Sequence, residues 1–256
     1  MKIAKIINFG CSFAYGNRAA SFSFLGSEHK SVASGLAKHY DLEEFNLARP
    51  GNSNEGILDN VISWIATADK KDKSNSLLLV GWSGASRFGF VSDSIKMSNK
   101  ARPAKEDDPV AENAFTAGPP NPYRYVIDKF DDRWATQSIN LLETGRLTLY
   151  RSIISLQALE KIHDLKIIYY HSLKPMRPEE FPDINLYEEN DKMSALINTD
   201  RFYRFQEMSL QEMTNENMNK YYVSSTDSHP NHVAYARWTR FLISWIEKNN
   251  RFGYQL

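Results

Sequence analysis

Asn8-Phe9-Gly10-Cys11-Ser12-Phe13-Ala14-Tyr15-Gly16 stands directly behind the first apolar run of the chain. Residues 3–9 carry Ile3, Ile6 and Ile7 and stop at a glycine, the pattern of a short buried strand. Such a strand delivers Ser12 to its carboxyl end, and glycines at 10 and 16 let the backbone turn sharply around it. A serine hydroxyl is a weak nucleophile until a base stands within hydrogen-bond reach. Near the other end of the chain, Asp227-Ser228-His229-Pro230-Asn231 offers that base and an orienting carboxylate two residues apart. The two stretches are expected to meet as a serine hydrolase site on an α/β sheet.

Working outward, Ser31 is a plausible N-cap for a helix over 32–40. Phe45–Ala48 reads as a second strand, closed by Arg49-Pro50-Gly51-Asn52-Ser53-Asn54, where Ser53 or Asn54 can cap the next helix. Ile57, Val61, Ile62, Ile65 and Ala66 form its apolar stripe. The uninterrupted run Leu77–Val80 suits a central parallel strand covered on both faces. This alternation predicts a doubly wound parallel sheet with right-handed crossovers. Regularity then lapses in an insertion at about 93–143, which holds Lys105–Pro109 and Gly118–Pro122. A helix is expected over Thr144–His163 and a strand over Leu165–Tyr170. A second insertion at about 173–219 shows helical hints near Arg201–Met208. A short strand over Tyr221–Val223 and a closing helix over Asn231–Lys248 complete the chain. With no internal repeat or low-complexity linker, one domain of 1–256 with two insertions is expected.

The 256 residues carry 31 Lys+Arg against 31 Asp+Glu, so bulk electrostatics argue against a nucleic-acid partner. Cys11 is the single cysteine, which excludes an internal disulfide and a thiolate zinc cluster. No close-spaced His, Asp and Glu set suggests a metal, and no cofactor is expected. The apolar run at the start is too short for a secretory h-region, and no stretch approaches a membrane span. A soluble cytoplasmic protein without a membrane partner is the expectation, or one exported in a larger particle. The sequence does not set its oligomeric state.

In open α/β sheets ligands sit at the carboxyl ends of the strands. That rule gathers the loops Gly10–Gly16, Arg49–Asn54, Gly81–Arg87 and Thr226–Asn231. A developing oxyanion needs preorganised donors there. The backbone N–H groups of Ser12 and Gly51 are natural ones, with Asn52, Asn54, Ser83 or Ser86 as side-chain donors. Asn52, Trp82, Arg87 and His171 are the candidate substrate contacts. Cys11 is expected to point away from Ser12 and pack as a small apolar residue. His232 falls at the start of the closing helix, where capping or packing suits it better than general-base work. Gly81-Trp82-Ser83-Gly84-Ala85 is a rival nucleophile elbow, but the residues after it do not read as the helix that elbow requires.

The order of these stretches resembles the SGNH (GDSL-type) hydrolase superfamily, whose members keep four short blocks on a flavodoxin-like three-layer α/β/α fold. Gly10-Cys11-Ser12 stands where the first block places Gly-Asp-Ser. Gly51 matches the glycine of the second block, and Asp227-Ser228-His229-Pro230 resembles a one-residue-shorter form of the last. The resemblance implies Ser12 as nucleophile, His229 as base, Asp227 as its orienter and a central parallel sheet of about five strands. Two positions depart from the pattern. Cys11 replaces an aspartate, and the third block, normally Gly-x-Asn-Asp, reads Gly81-Trp82-Ser83-Gly84 and lacks the asparagine that donates to the oxyanion.

The implied activity is hydrolysis of a small acyl ester, with O-acetyl groups on a carbohydrate as the substrate class. Tyr123, Tyr125, Phe130, Trp134, Phe202, Tyr203 and Phe205 in the insertions are candidates either to stack on sugar rings or to anchor the loops. The alternative is a degenerate module of the same fold that binds without hydrolysing. The Gly-Cys-Ser-Phe opening also looks similar to hydrolase-like proteins of phages and surface-polysaccharide loci.

Overall fold

The computed structural model describes residues 2–16, 30–84, 135–175 and 192–249. The leading strand β1 (Lys5–Gly10) runs parallel to β2 (Glu43–Asn46) on one side and β3 (Ser76–Trp82) on the other. β4 (Lys166–His171) and β5 (Phe202–Tyr203) extend the sheet beyond β3, again in parallel, giving the order β2-β1-β3-β4-β5. This is the flavodoxin-like doubly wound order, whose switch point lies between β1 and β3. The α/β class and a parallel sheet of five strands are as expected from the sequence.

Strand pleat sorts the core into two layers, since successive side chains leave opposite faces. Ile6, Leu77 and Leu79 pack with α2 (Val32–Tyr40) and the closing helix α8 (His232–Asn249). Ile7, Phe9, Leu78, Val80 and Trp82 pack with α3 (Asn54–Thr67) and α5 (Ala135–His163). All seven residues of β3 are buried, which accounts for its unbroken apolar run. Shorter helices among the described residues include α1 (Ser12–Tyr15), α4 (Lys70–Asn75), α6 (Leu210–Asn215) and α7 (Met218–Tyr221). No described helix is long and apolar enough to cross a membrane.

Local chemistry sets the helix starts. Ser31 caps α2 in a reciprocal capping box with Ser34. Of the two residues expected to cap α3, Ser53 does so by accepting the Gly56 N–H. Asn231 accepts the N–H groups of Val233 and Ala234 at the head of α8.

Three expectations require correction. β2 begins at Glu43 rather than Phe45, and α5 begins at Ala135 rather than Thr144. The fifth strand is not Tyr221–Val223 but Phe202–Tyr203, inside the segment expected to be helical. It escaped sequence periodicity because two residues hold no period, although Phe202 and Tyr203 do turn to opposite core layers. The residues near 222 instead form β6 (Tyr222–Ser224), which pairs antiparallel with β7 (Asp227–Pro230) in a separate hairpin.

The short β5 is held by a polar lock. The Glu160 carboxylate accepts from the Tyr169 hydroxyl at 2.8 Å and from the Arg201 guanidinium, which also reaches the Leu165 carbonyl at 3.4 Å. Burial raises the Glu160 carboxyl above its ordinary value, with Arg201 opposing the rise. Arg201→Leu therefore lowers stability by about 2 kcal/mol at neutral pH, below the figure for a fully buried pair because Arg201 is partly exposed. A carboxyl raised in the folded state takes up its proton first there, so the deficit shrinks as the pH falls and Glu160 protonates. Urea midpoints across pH measure both effects.

Candidate active site

The site is built on the end of β1. A Cβ at Gly10 would lie 2.4 Å from the Ala14 Cβ and 2.7 Å from the Gly81 carbonyl oxygen, so the turn closes directly over β3. Cys11 adopts an extended conformation at the N-cap with its side chain fully buried, as its alternation with Ser12 predicts. Ser12 opens the single-turn helix α1 and is half-buried. Gly16 ends it at φ 75°, a left-handed conformation suited to glycine.

Three side chains from three other elements take the carbonyls of that turn. The Tyr235 hydroxyl donates to the Phe13 carbonyl at 3.0 Å. Asn8 Nδ2 donates to the Ala14 carbonyl at 2.9 Å, and Asn46 Nδ2 to the Tyr15 carbonyl at 2.9 Å. Asn8 Nδ2 also reaches Asn46 Oδ1 at 3.0 Å, which joins two of the three. The sequence reading missed these residues. Asn8 carried a usable signal, because a polar side chain inside an apolar strand must find a partner.

Asp227 and His229 lie on β7. Asp227 Oδ1 stands 2.6 Å from His229 Nδ1 and also accepts the His229 backbone N–H at 3.1 Å. The Phe13 ring packs on the imidazole with centroids 5.2 Å apart. The two ends of the chain thus meet through the residue next to Ser12, while among the described residues Ser12 Oγ makes no hydrogen bond to His229. Catalytic hydrogen bonds are often loose before substrate binds.

The β2–α3 loop is tied to the same place, with the Arg49 N–H donating to the Gly10 carbonyl at 2.9 Å. Gly51 turns that loop at φ 76°. Asn52 is buried, and its Nδ2 has no hydrogen-bond partner among the described residues. Asn54 is also buried: its Oδ1 accepts the Ser83 N–H at 2.8 Å and its Nδ2 donates to the Gly84 carbonyl at 3.4 Å. These two bonds bridge α3 and the end of β3 and use one of the two Nδ2 hydrogens. Asn54→Ala leaves the Ser83 N–H buried and unpaired, which costs about 1–3 kcal/mol of stability in a denaturant titration. Ser83 is fully buried with an unpartnered hydroxyl. Asn52 Nδ2 and Ser83 Oγ are side-chain donors at these strand ends without a hydrogen-bond partner among the described residues.

Trp82 and His171 have no exposed surface and require correction as substrate contacts. Trp82 belongs to the α3/α5 core layer, and the His171 ring clusters with Phe202 and Phe205 at centroid distances of 4.7 and 5.9 Å. Phe202 and Tyr203 are themselves core residues, so of the two roles weighed for them they take loop anchoring. Arg87, Ser86, Tyr123, Tyr125, Phe130 and Trp134 lie outside the described residues, as does most of the first expected insertion. Among the described residues no cluster of His, Cys, Asp and Glu is arranged to hold a metal.

No protein-family model matches this sequence, and no curated protein matches it. Solved structures similar along nearly all of the chain include the following three. A member of the lipolytic protein G-D-S-L family from Veillonella parvula DSM 2008 shares 14% identity, covering 96% of this chain and 97% of its own, with a TM-score of 0.41. The lipase Lip_vut3 from a goat rumen metagenome shares 11% identity over 94% of this chain and 97% of its own, with a TM-score of 0.46. The acetyl xylan esterase Est2A from the rumen bacterium Butyrivibrio proteoclasticus shares 13% identity over 98% of this chain, which spans 66% of that protein, with a TM-score of 0.45. The fold class rests on the strand order itself. What the loops can do rests on their residues: a serine in a glycine-bounded turn, a carboxylate-held histidine beside it, and buried unpartnered donors at the neighbouring strand ends.

Proposed function

We propose that this chain is an SGNH-type serine ester hydrolase that cleaves small acyl esters, with O-acetyl groups on a carbohydrate as the favoured substrate class. The observation that carries the reading is the Asp227–His229 pair at 2.6 Å, packed against the residue that follows Ser12. Asp227 occupies Nδ1 and so holds the tautomer in which Nε2 is free to accept a proton. Ser12 Oγ attacks the ester carbonyl as His229 removes its proton. The oxyanion is received by the Ser12 and Gly51 N–H groups, joined by Asn52 Nδ2 or Ser83 Oγ. His229 then protonates the departing alcohol, and water repeats the sequence on the acyl-serine to release the acid.

The carbohydrate preference has the thinner support, from the family resemblance and from the acetyl xylan esterase among the similar structures. A second reading, a module that binds without hydrolysis, is favoured by one feature. Ser83 stands where the family places its oxyanion asparagine. Hydrolysis of p-nitrophenyl acetate and labelling by a fluorophosphonate probe separate the two. Turnover and labelling that require Ser12 support the hydrolase. A wild-type protein inert in both assays leaves the binding module. Acetate release from an acetylated xylan, compared with that from a simple alkyl acetate, tests the carbohydrate preference.

A further inference from the structure

We infer that Asn8, Asn46 and Tyr235 form a three-point clamp that sets the Ser12 hydroxyl relative to His229, with Tyr235 as the positioning residue that couples the two ends of the chain. The inference rests on the hydrolase reading of Ser12. A helix of four residues cannot stabilise itself, since nucleation fixes several dihedrals for a single hydrogen bond. Its last carbonyls also have no partner inside the helix. In α1 the Cys11 N-cap supplies no side-chain bond. The carbonyls of Phe13, Ala14 and Tyr15 instead each receive one donor, from α8, β1 and β2 respectively. Their directions differ because they come from different elements, so together they restrict both tilt and rotation of the turn.

Tyr235 differs from the two asparagines in what it connects. It lies in α8, which follows β7 directly, six residues beyond His229. Its hydroxyl holds the Phe13 carbonyl while the Phe13 ring packs on the His229 imidazole. Nucleophile turn, tyrosine and base therefore close a ring of contacts. Burial holds the Tyr235 phenol well above its ordinary titration range, with Tyr170, Cys11 and Asp227 adding to the rise, so it remains a donor throughout the neutral range. A displacement of about 1 Å at a reacting group can cost on the order of 10²-fold in rate without altering substrate contacts.

The test compares Tyr235→Phe with Thr239→Val. Thr239 lies in the same helix and donates to the Val32 carbonyl at 3.5 Å, away from α1. Tyr235→Phe is expected to lower kcat for p-nitrophenyl acetate by roughly 10- to 100-fold with KM little changed. Fluorophosphonate labelling should slow by a similar factor. Thr239→Val is expected to lower the thermal midpoint without that kcat loss. Asn46→Ala, at an exposed clamp position, should reproduce the kcat effect in smaller measure in a folded protein. Equal kcat losses in Tyr235→Phe and Thr239→Val, or a rise in KM with kcat intact, would overturn the clamp while leaving the hydrolase reading standing. An inert wild type overturns that reading and the clamp with it.

Discussion

Ser12→Ala abolishes p-nitrophenyl acetate hydrolysis and fluorophosphonate labelling, a loss on the order of 10⁴- to 10⁶-fold in kcat, the scale seen when a nucleophile that works as a unit with its base is removed. The thermal midpoint should scarcely move, because the half-buried Ser12 hydroxyl makes no hydrogen bond among the described residues. His229→Ala should lose activity on the same scale, and the double variant should be little worse than either single one. That non-additivity is the signature of two groups acting in one step. A donor-poor oxyanion site would show differently, as a low wild-type kcat with Ser12 still required. Each missing donor is worth about 2.7–4 kcal/mol of barrier, so a site lacking one donor predicts a slow enzyme rather than a silent one. If Ser12→Ala retained wild-type turnover, the assignment of the nucleophile would fail.

Gly10→Ala has the second large effect, and it acts on folding. The added Cβ would sit 2.4 Å from the Ala14 Cβ and 2.7 Å from the backbone oxygen of Gly81, closer than such atoms approach. Neither neighbour can rotate aside, since one is attached to α1 and the other is the backbone of a fully buried strand. Relief must come from moving the α1 turn away from β3, and overpacking of this kind costs about 3 kcal/mol or a little more. A fall in the urea midpoint with an unchanged slope would show the loss. Since α1 carries Ser12, the residual folded protein should also label slowly. An unchanged midpoint would mean that the junction between β1 and α1 is looser than its contacts suggest.

How much was legible beforehand differed by element. The unbroken apolar run around Leu77–Val80 announced a central strand because both faces of β3 are covered, and burial on both faces removes any alternation. Ser31 and Ser53 announced helix starts because capping is local chemistry, settled within three residues. Phe202–Tyr203 was invisible as a strand because its only reason to be extended is the empty edge of β4 beside it. The same holds for Asn54. Its amide bonds the Ser83 N–H and the Gly84 carbonyl, partners about thirty positions away that no local pattern can reveal.

Sequence by itself determined the α/β class and the sites of the turns. It also set a serine directly behind the first strand and an Asp-x-His pair directly ahead of the closing helix. Periodicity, capping and glycine chemistry act over a few residues, so the residues themselves declare them. Tertiary structure alone decided that β6 and β7 leave the sheet as a hairpin, that Trp82 and His171 are core, and that Asn8, Asn46 and Tyr235 converge on one four-residue helix. Those outcomes depend on which unpaired carbonyl or uncovered edge lies near in space. The Tyr235 hydroxyl and the Phe13 carbonyl it holds are 222 positions apart in the chain.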